Sequence, residues 1–129
     1  MRRLIVDVRP GEYTVARLPA DAPVPAGLLD HELVSVTRTP DELSVVCPSE
    51  HAPGTGAAQP GWRLLTVRGP LEFTLTGIMA ALSGELAAAG VSLFALSTYD
   101  TDHLLVKSSD LGRAVSALRS SGHEVHLPV

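Results

Sequence analysis

Two groups of residues in this sequence could act by binding charge. Asp100 and Asp102 flank Thr101 in Tyr99-Asp100-Thr101-Asp102, a stretch of turn formers. Carboxylates placed there could pair with an ammonium or another cationic group. Thr76-Gly77 stands where a helix is expected to open, so free backbone N–H groups and the helix dipole would favour an anion. Gly77 has no side chain, which lets a ligand approach the backbone closely. The same residues also suit plain structure, since glycine serves tight turns and aspartate serves solvated turn positions. Taken alone, the spacing leaves both readings open.

Other reactive side chains point to less. The histidines His31, His51, His103, His123 and His126 come with no cysteine pair and no His-Glu-x-x-His helix, so they read as solvated or edge residues rather than metal ligands. His123 and His126 are three apart on an expected strand and would face opposite sides. Ser97, Asp100 and His103 supply the residue types of a hydrolytic triad, yet no Gly-x-Ser-x-Gly elbow or oxyanion-hole signature accompanies them. Gly54-Thr55-Gly56-Ala57-Ala58-Gln59 begins like a dinucleotide fingerprint, but Pro60 forbids the helix that should follow. Cys47 follows Val45-Val46 and reads as an inert core thiol.

Composition narrows the class. Of 129 residues 45% are apolar and 19% charged, with 14 acidic against 10 basic side chains. A disordered chain needs lower hydrophobicity and more charge. A net charge of −4 and a pI near 5.6 argue against nucleic acid as a partner. One cysteine forms no internal disulfide. Gly77 to Leu96 is the most apolar stretch, but Glu85, Gly84 and Gly90 make it a poor membrane span. Near the N-terminus only Leu4-Ile5-Val6 precede Asp7, too few for a secretory h-region. A cytoplasmic protein without membrane partners is expected.

The elements that must position these residues fall into two units, 1–59 and 60–129. In the second, Trp62 to Val67 reads as a strand stopped by Gly69-Pro70. Leu75, Ile78, Met79, Leu82 and Leu86 then lie on one helical face, with Thr74 or Thr76 as cap and Gly90 as stop. Val91 to Ser97 and His103 to Lys107 form a hairpin around Tyr99–Asp102. Leu111, Ala114, Val115 and Leu118 mark a second helix that begins at Ser109 or Asp110 and ends at Gly122. Val125 and Leu127 alternate on a last strand. The order β-α-β-β-α-β predicts an α+β, ferredoxin-like arrangement, two helices on one face of a four-stranded sheet.

The first unit is strand-rich. Leu4-Ile5-Val6 and Tyr13 to Leu18 flank the turn signal Pro10-Gly11, predicting a hairpin. Leu33 to Thr37 and Leu43 to Cys47 add two strands, and Ala26 to Asp30 allows at most one helical turn. Pro48 to Gly61 lacks apolar periodicity and reads as a surface linker. With so little helix, this unit leaves a sheet face and strand edges uncovered, which favours a homodimer.

Several runs in order carry a family resemblance: Gly69-Pro70-Leu71-Glu72-Phe73-Thr74-Leu75-Thr76-Gly77-Ile78, then Leu86-Ala87-Ala88-Ala89-Gly90-Val91-Ser92. They resemble the ACT domain. Ser97-Thr98-Tyr99-Asp100-Thr101-Asp102, with Leu104-Leu105-Val106-Lys107, is similar to the subfamily that includes the CASTOR arginine sensors. Thr37-Arg38-Thr39-Pro40-Asp41-Glu42-Leu43-Ser44 is similar to the degenerate ACT-like half that precedes such a domain. The resemblance implies a non-enzymatic regulatory protein without a cofactor. It would bind a small molecule, an amino acid, at unit or subunit interfaces. The candidate ligand-binding residues are Thr76, Gly77, Ile78, Thr98, Asp100 and Asp102. The alternative is a ferredoxin-like dimer that serves as a structural or interaction module without a ligand.

Overall fold

The computed structural model describes residues 3–54, 56–69 and 77–129. In chain order the strands are β1 (Ile5–Val8), β2 (Tyr13–Leu18), β3 (Ser35–Arg38), β4 (Leu43–Pro48), β5 (Ala57–Val67), β6 (Leu93–Ser97), β7 (Asp102–Lys107) and β8 (Glu124–His126). The helices are α1 (Ile78–Ala88) and α2 (Leu111–Ser120). The chain divides into a larger unit, Met1–Pro10 with Arg63–Val129, and a smaller one, Gly11–Trp62.

From the end of β5 onward the larger unit runs β-α-β-β-α-β, the expected ferredoxin-like order. Its sheet departs from the expected four strands. The spatial order is β8-β1-β5-β7-β6, with the N-terminal strand inserted in the middle. β1 pairs antiparallel with β5, placing Val6 opposite Val67 and Val8 opposite Leu65. It pairs in parallel with β8, placing Val6 beside Val125. The physical reason is alternation: Leu4, Val6 and Val8 are buried while Ile5, Asp7 and Arg9 are only half-buried, which suits a strand with one face on a core. The hairpin expected across Pro10-Gly11 is therefore replaced, because β1 finds its partners more than fifty residues away.

Both helices cover the same core. Leu82 and Leu86 of α1 and Ala114, Val115 and Leu118 of α2 join Leu65, Val67, Leu104 and Val106 from the sheet. The helical face read from the sequence holds from Ile78 onward, while Leu75 lies outside the described residues. The N-cap is Gly77, which has no side chain to cap with, and the threonines expected there lie outside the described residues. Gly90 ends the helix at φ 77°, a left-handed conformation that favours glycine. The Val91 N–H then closes back on the Leu86 carbonyl at 2.9 Å.

The smaller unit is a sheet of order β3-β4-β2-β5, to which β5 contributes its beginning. Among its described residues the helical turns are two 3-10 turns, Leu28–Asp30 and Ser49–His51. Its core gathers Ala16, Leu18, Leu28, Leu43, Val45 and Cys47. The expected linker is partly a strand: Ala57, Ala58 and Gln59 pair with Arg17, Ala16 and Val15. Sequence periodicity missed it because these residues are exposed and pair through backbone alone. Pro60, which lacks an N–H, falls where the register shifts between Tyr13 and Val15, a place that tolerates proline.

The buried position of β1 is measurable. Val6→Thr adds a hydroxyl to a fully buried site and should lower the urea-unfolding stability by about 1–3 kcal/mol. Val15→Thr, at a half-buried position of β2, should change it by less than half as much.

Candidate functional site

Helix α1 opens at Gly77, a residue with no side chain to cap it. Gly77 has φ 79°, and a Cβ built there would meet nothing within 4 Å. Its carbonyl accepts the Ala81 N–H at 2.8 Å, the first helical bond, so the amides of Ile78, Met79 and Ala80 have no partner within the helix. Exposed amides of this kind, aligned with the helix dipole, form an anion-accepting end. Ile78 contributes backbone here, because its half-buried side chain packs on the core. Thr76 lies outside the described residues.

The β6–β7 hairpin is a bonded turn. The Thr98 N–H donates to the Thr101 carbonyl at 2.9 Å, and the Thr98 hydroxyl donates to the same oxygen at 3.2 Å. At the base of the turn the Ser97 hydroxyl donates to Asp102 Oδ1 at 2.6 Å. The Thr101 hydroxyl donates to the Val67 carbonyl at 2.6 Å, which ties the turn to the end of β5. The chain leaves β5 at that end on its way to α1. Topology thus brings the hairpin to the end of the sheet where the segment leading to Gly77 begins.

The two aspartates differ. Asp102 is half-buried and already accepts from Ser97, whereas Asp100 is exposed and has no hydrogen-bond or ion-pair partner among the described residues. The cation at the end of β5 is engaged elsewhere. Arg68 holds Asp7 in a bidentate pair, Nε to Oδ2 at 3.0 Å and Nη2 to Oδ1 at 2.6 Å. That hydrogen bonding pulls the Asp7 carboxyl below the usual carboxylate range and raises the Arg68 guanidinium. Asp100 is thus the carboxylate of this end best placed to meet a positive group.

Sequence reasoning missed Ser97 and Thr101 as parts of this end. Ser97 was legible in principle, because it faces Asp102 across the first pair of the hairpin. The contact of Thr101 with Val67 is tertiary and leaves no sequence signal. The triad residues go to separate partners: Ser97 bonds Asp102, and His103 Nδ1 lies 3.0 Å from Thr66 Oγ1.

The histidines correct an expectation. His123 is buried rather than solvated, with Nε2 at 2.8 Å from Glu85 Oε1. Its partner on α1 is invisible at a sequence separation of 38. His31 and His51 stack with centroids 3.4 Å apart. Among the described residues no group of three or more His, Cys, Asp or Glu is placed to hold a metal ion. No helix among them is long and apolar enough to cross a membrane. Cys47 is buried, and burial pushes its thiol up, as expected of a core cysteine.

Residues 57–120 match the family model described as the ACT domain, and a second model for an N-terminal domain matches residues 11–55. The chain belongs to the ACT-domain family. A protein from Agobacterium tumefaciens with a crystal structure is 37% identical, with a TM-score of 0.92, covering 100% of this chain and 96% of that one. The human protein named cytosolic arginine sensor for mTORC1 subunit 1 is 39% identical over 59 residues. That segment is 45% of this ACT-domain chain and 18% of the sensor, so the likeness spans a small part of the relative. The regulatory subunit of aspartate kinase from Thermus thermophilus shares the fold alone, at 11% identity and a TM-score of 0.63 over 91% of this chain and 96% of that one.

Burial, reinforced by Arg9, lowers the pKa of His103 against the opposing pull of Asp102. A base depressed in the fold binds its proton more readily when unfolded, so stability is full above about pH 6.5 and declines as pH falls through the folded value. His103→Asn keeps a partner for Thr66 and removes the titration. Its melting temperature should fall less than that of the parent between about pH 7 and about pH 5, as read by calorimetry.

Proposed function

We propose that this ACT-domain protein is a non-enzymatic regulator that binds an amino acid. The observation that carries the reading is the start of α1 at an exposed glycine, Gly77, where a built Cβ would meet nothing within 4 Å. An amino acid brings a carboxylate and an ammonium. The carboxylate suits the first helical amides after Gly77, from Ile78 on, while the positive group suits Asp100, with Asp102 already held by Ser97. Thr98 acts by shaping the turn, and Thr76 stands next to the glycine in sequence. Kinship with proteins named as arginine sensors supports an amino acid over other small molecules.

A thermal-shift screen with the amino acids tests the reading, since a ligand that binds only the folded state must raise the melting temperature. No rise with any of them would favour the interaction-module alternative. With a ligand in hand, Gly77→Asp should abolish binding in calorimetry while the protein stays folded. Aspartate tolerates the left-handed conformation at a cost of about 1–2 kcal/mol, and its carboxylate would occupy the amides. Gly77→Asn carries the same strain without the charge and should retain more affinity. Asp100→Asn should weaken binding more than Asp102→Asn, at equal melting temperatures.

The reading includes a homodimer. β6 pairs only with β7 among the described strands, and its outer edge, Leu93–Ser97, carries no charge and no proline to block pairing. Sedimentation equilibrium at micromolar concentration should give twice 13.5 kDa. A single-chain mass across the range would remove the dimer from the proposal.

A further inference from the structure

Thr14 and His123 are the buried polar side chains among the described residues. The His123 side chain has no exposed surface, and both ring nitrogens are engaged. Nδ1 accepts the backbone N–H of Leu4 at 3.1 Å. A backbone amide can only donate, so Nδ1 must offer a lone pair. Nε2 faces Glu85 Oε1 at 2.8 Å and Oε2 at 3.1 Å. A carboxylate can only accept, so Nε2 carries the proton. The neighbours thus select one tautomer of a neutral ring.

Leu4 is the residue before β1, and it is held at both ends of its peptide unit. Its N–H goes to His123, and its carbonyl accepts the Glu124 N–H at 3.0 Å. The backbone of His123 is fixed in turn, its N–H donating to the Leu118 carbonyl at 3.1 Å. The ring therefore joins the end of α2 to the beginning of β1. A second proton could enter only at Nδ1, where the Leu4 N–H already points. Two donors cannot share that line, and the imidazolium forms only if Leu4 moves away.

We propose that His123 is an acid-released latch on the N-terminal strand, its neutral ring fastening β1 beside β8 and its protonated ring letting go. The charged groups of the surrounding elements are Arg3 ahead of β1, Asp7 on β1, Glu85 on α1, Arg113 and Arg119 on α2, and Glu124 and His126 on β8. Asp7 is paired with Arg68 and Arg113 with Asp110. Arg3 and His126 both pair with Glu124, at 2.8 and 2.5 Å. Arg119 donates to the Val125 carbonyl at 2.7 Å. Glu85 is left as the charged group in hydrogen-bond contact with the ring. A positive charge on the ring would strengthen that contact while Nδ1 loses the Leu4 N–H.

Hydrogen exchange at the Leu4 amide of the full chain tests this, read as a protection factor corrected for intrinsic exchange. Protection should fall at least about tenfold from about pH 8 to about pH 5, while Val106 in the core stays protected. In His123→Asn the side-chain oxygen takes the place of Nδ1 and does not titrate, so Leu4 protection should hold constant. In Glu85→Gln, which removes the carboxylate in contact with the ring, the loss should require more acid. Ring nitrogen shifts of His123 should show Nδ1 bare and Nε2 protonated at about pH 8. A doubly protonated ring there, unchanged Leu4 protection at about pH 5, or an equal loss in the asparagine variant overturns the latch. If His123→Asn fails to fold, an unshifted Glu85→Gln transition overturns it equally.

Discussion

The larger unit depends on the backbone ladder that β1 makes on both of its sides. With β1 in place β5 has an antiparallel neighbour, and β8, a three-residue strand, has the pairing that holds it in the sheet. Three residues make a weak strand, and parallel pairing is slightly less stable per residue than antiparallel. Burial compensates: Val6 sits between Val67 and Val125, with both helices closing over that face. The helices can be short because this apolar layer is continuous across the inserted strand.

That scaffold explains why a binding end could form without dedicated side chains. The start of α1 offers main-chain amides, and the hairpin is braced by hydroxyls of Ser97, Thr98 and Thr101 rather than by buried charge. Meanwhile Arg68 is neutralised by Asp7 on the neighbouring strand, so it does not reach for the hairpin carboxylates. The result is a braced hairpin whose exposed Asp100 has no hydrogen-bond or ion-pair partner among the described residues.

The legible part of this fold was the part encoded locally. Helical spacing at Ile78, Met79, Leu82 and Leu86 and at Leu111, Ala114, Val115 and Leu118 located both helices, and Gly90 located a stop. The succession of elements along the chain followed from them. What stayed hidden was pairing at long range and pairing without apolar signal. β1 reads as a strand, but nothing in Ile5–Val8 says that its neighbours are β5 and β8. Ala57 to Gln59 reads as a linker because its side chains face solvent. At the site, Gly77 and the acidic turn were visible as residue types. The unequal status of Asp100 and Asp102 was not, since it depends on which one Ser97 reaches.

The inserted strand also dictates an order of events during synthesis. β1 leaves the ribosome before β5 and β8, and the partner of Leu4 lies 119 residues further along the chain. Until β8 emerges, the alternating apolar face of β1 has no complete resting place and is open to chaperones or wrong pairing. The residues between, Gly11–Trp62, contain their own core and can collapse while the flanking strands wait. Contacts of such long sequence separation close late and slowly. Maturation of the larger unit is therefore timed by the far end of its sheet rather than by its beginning.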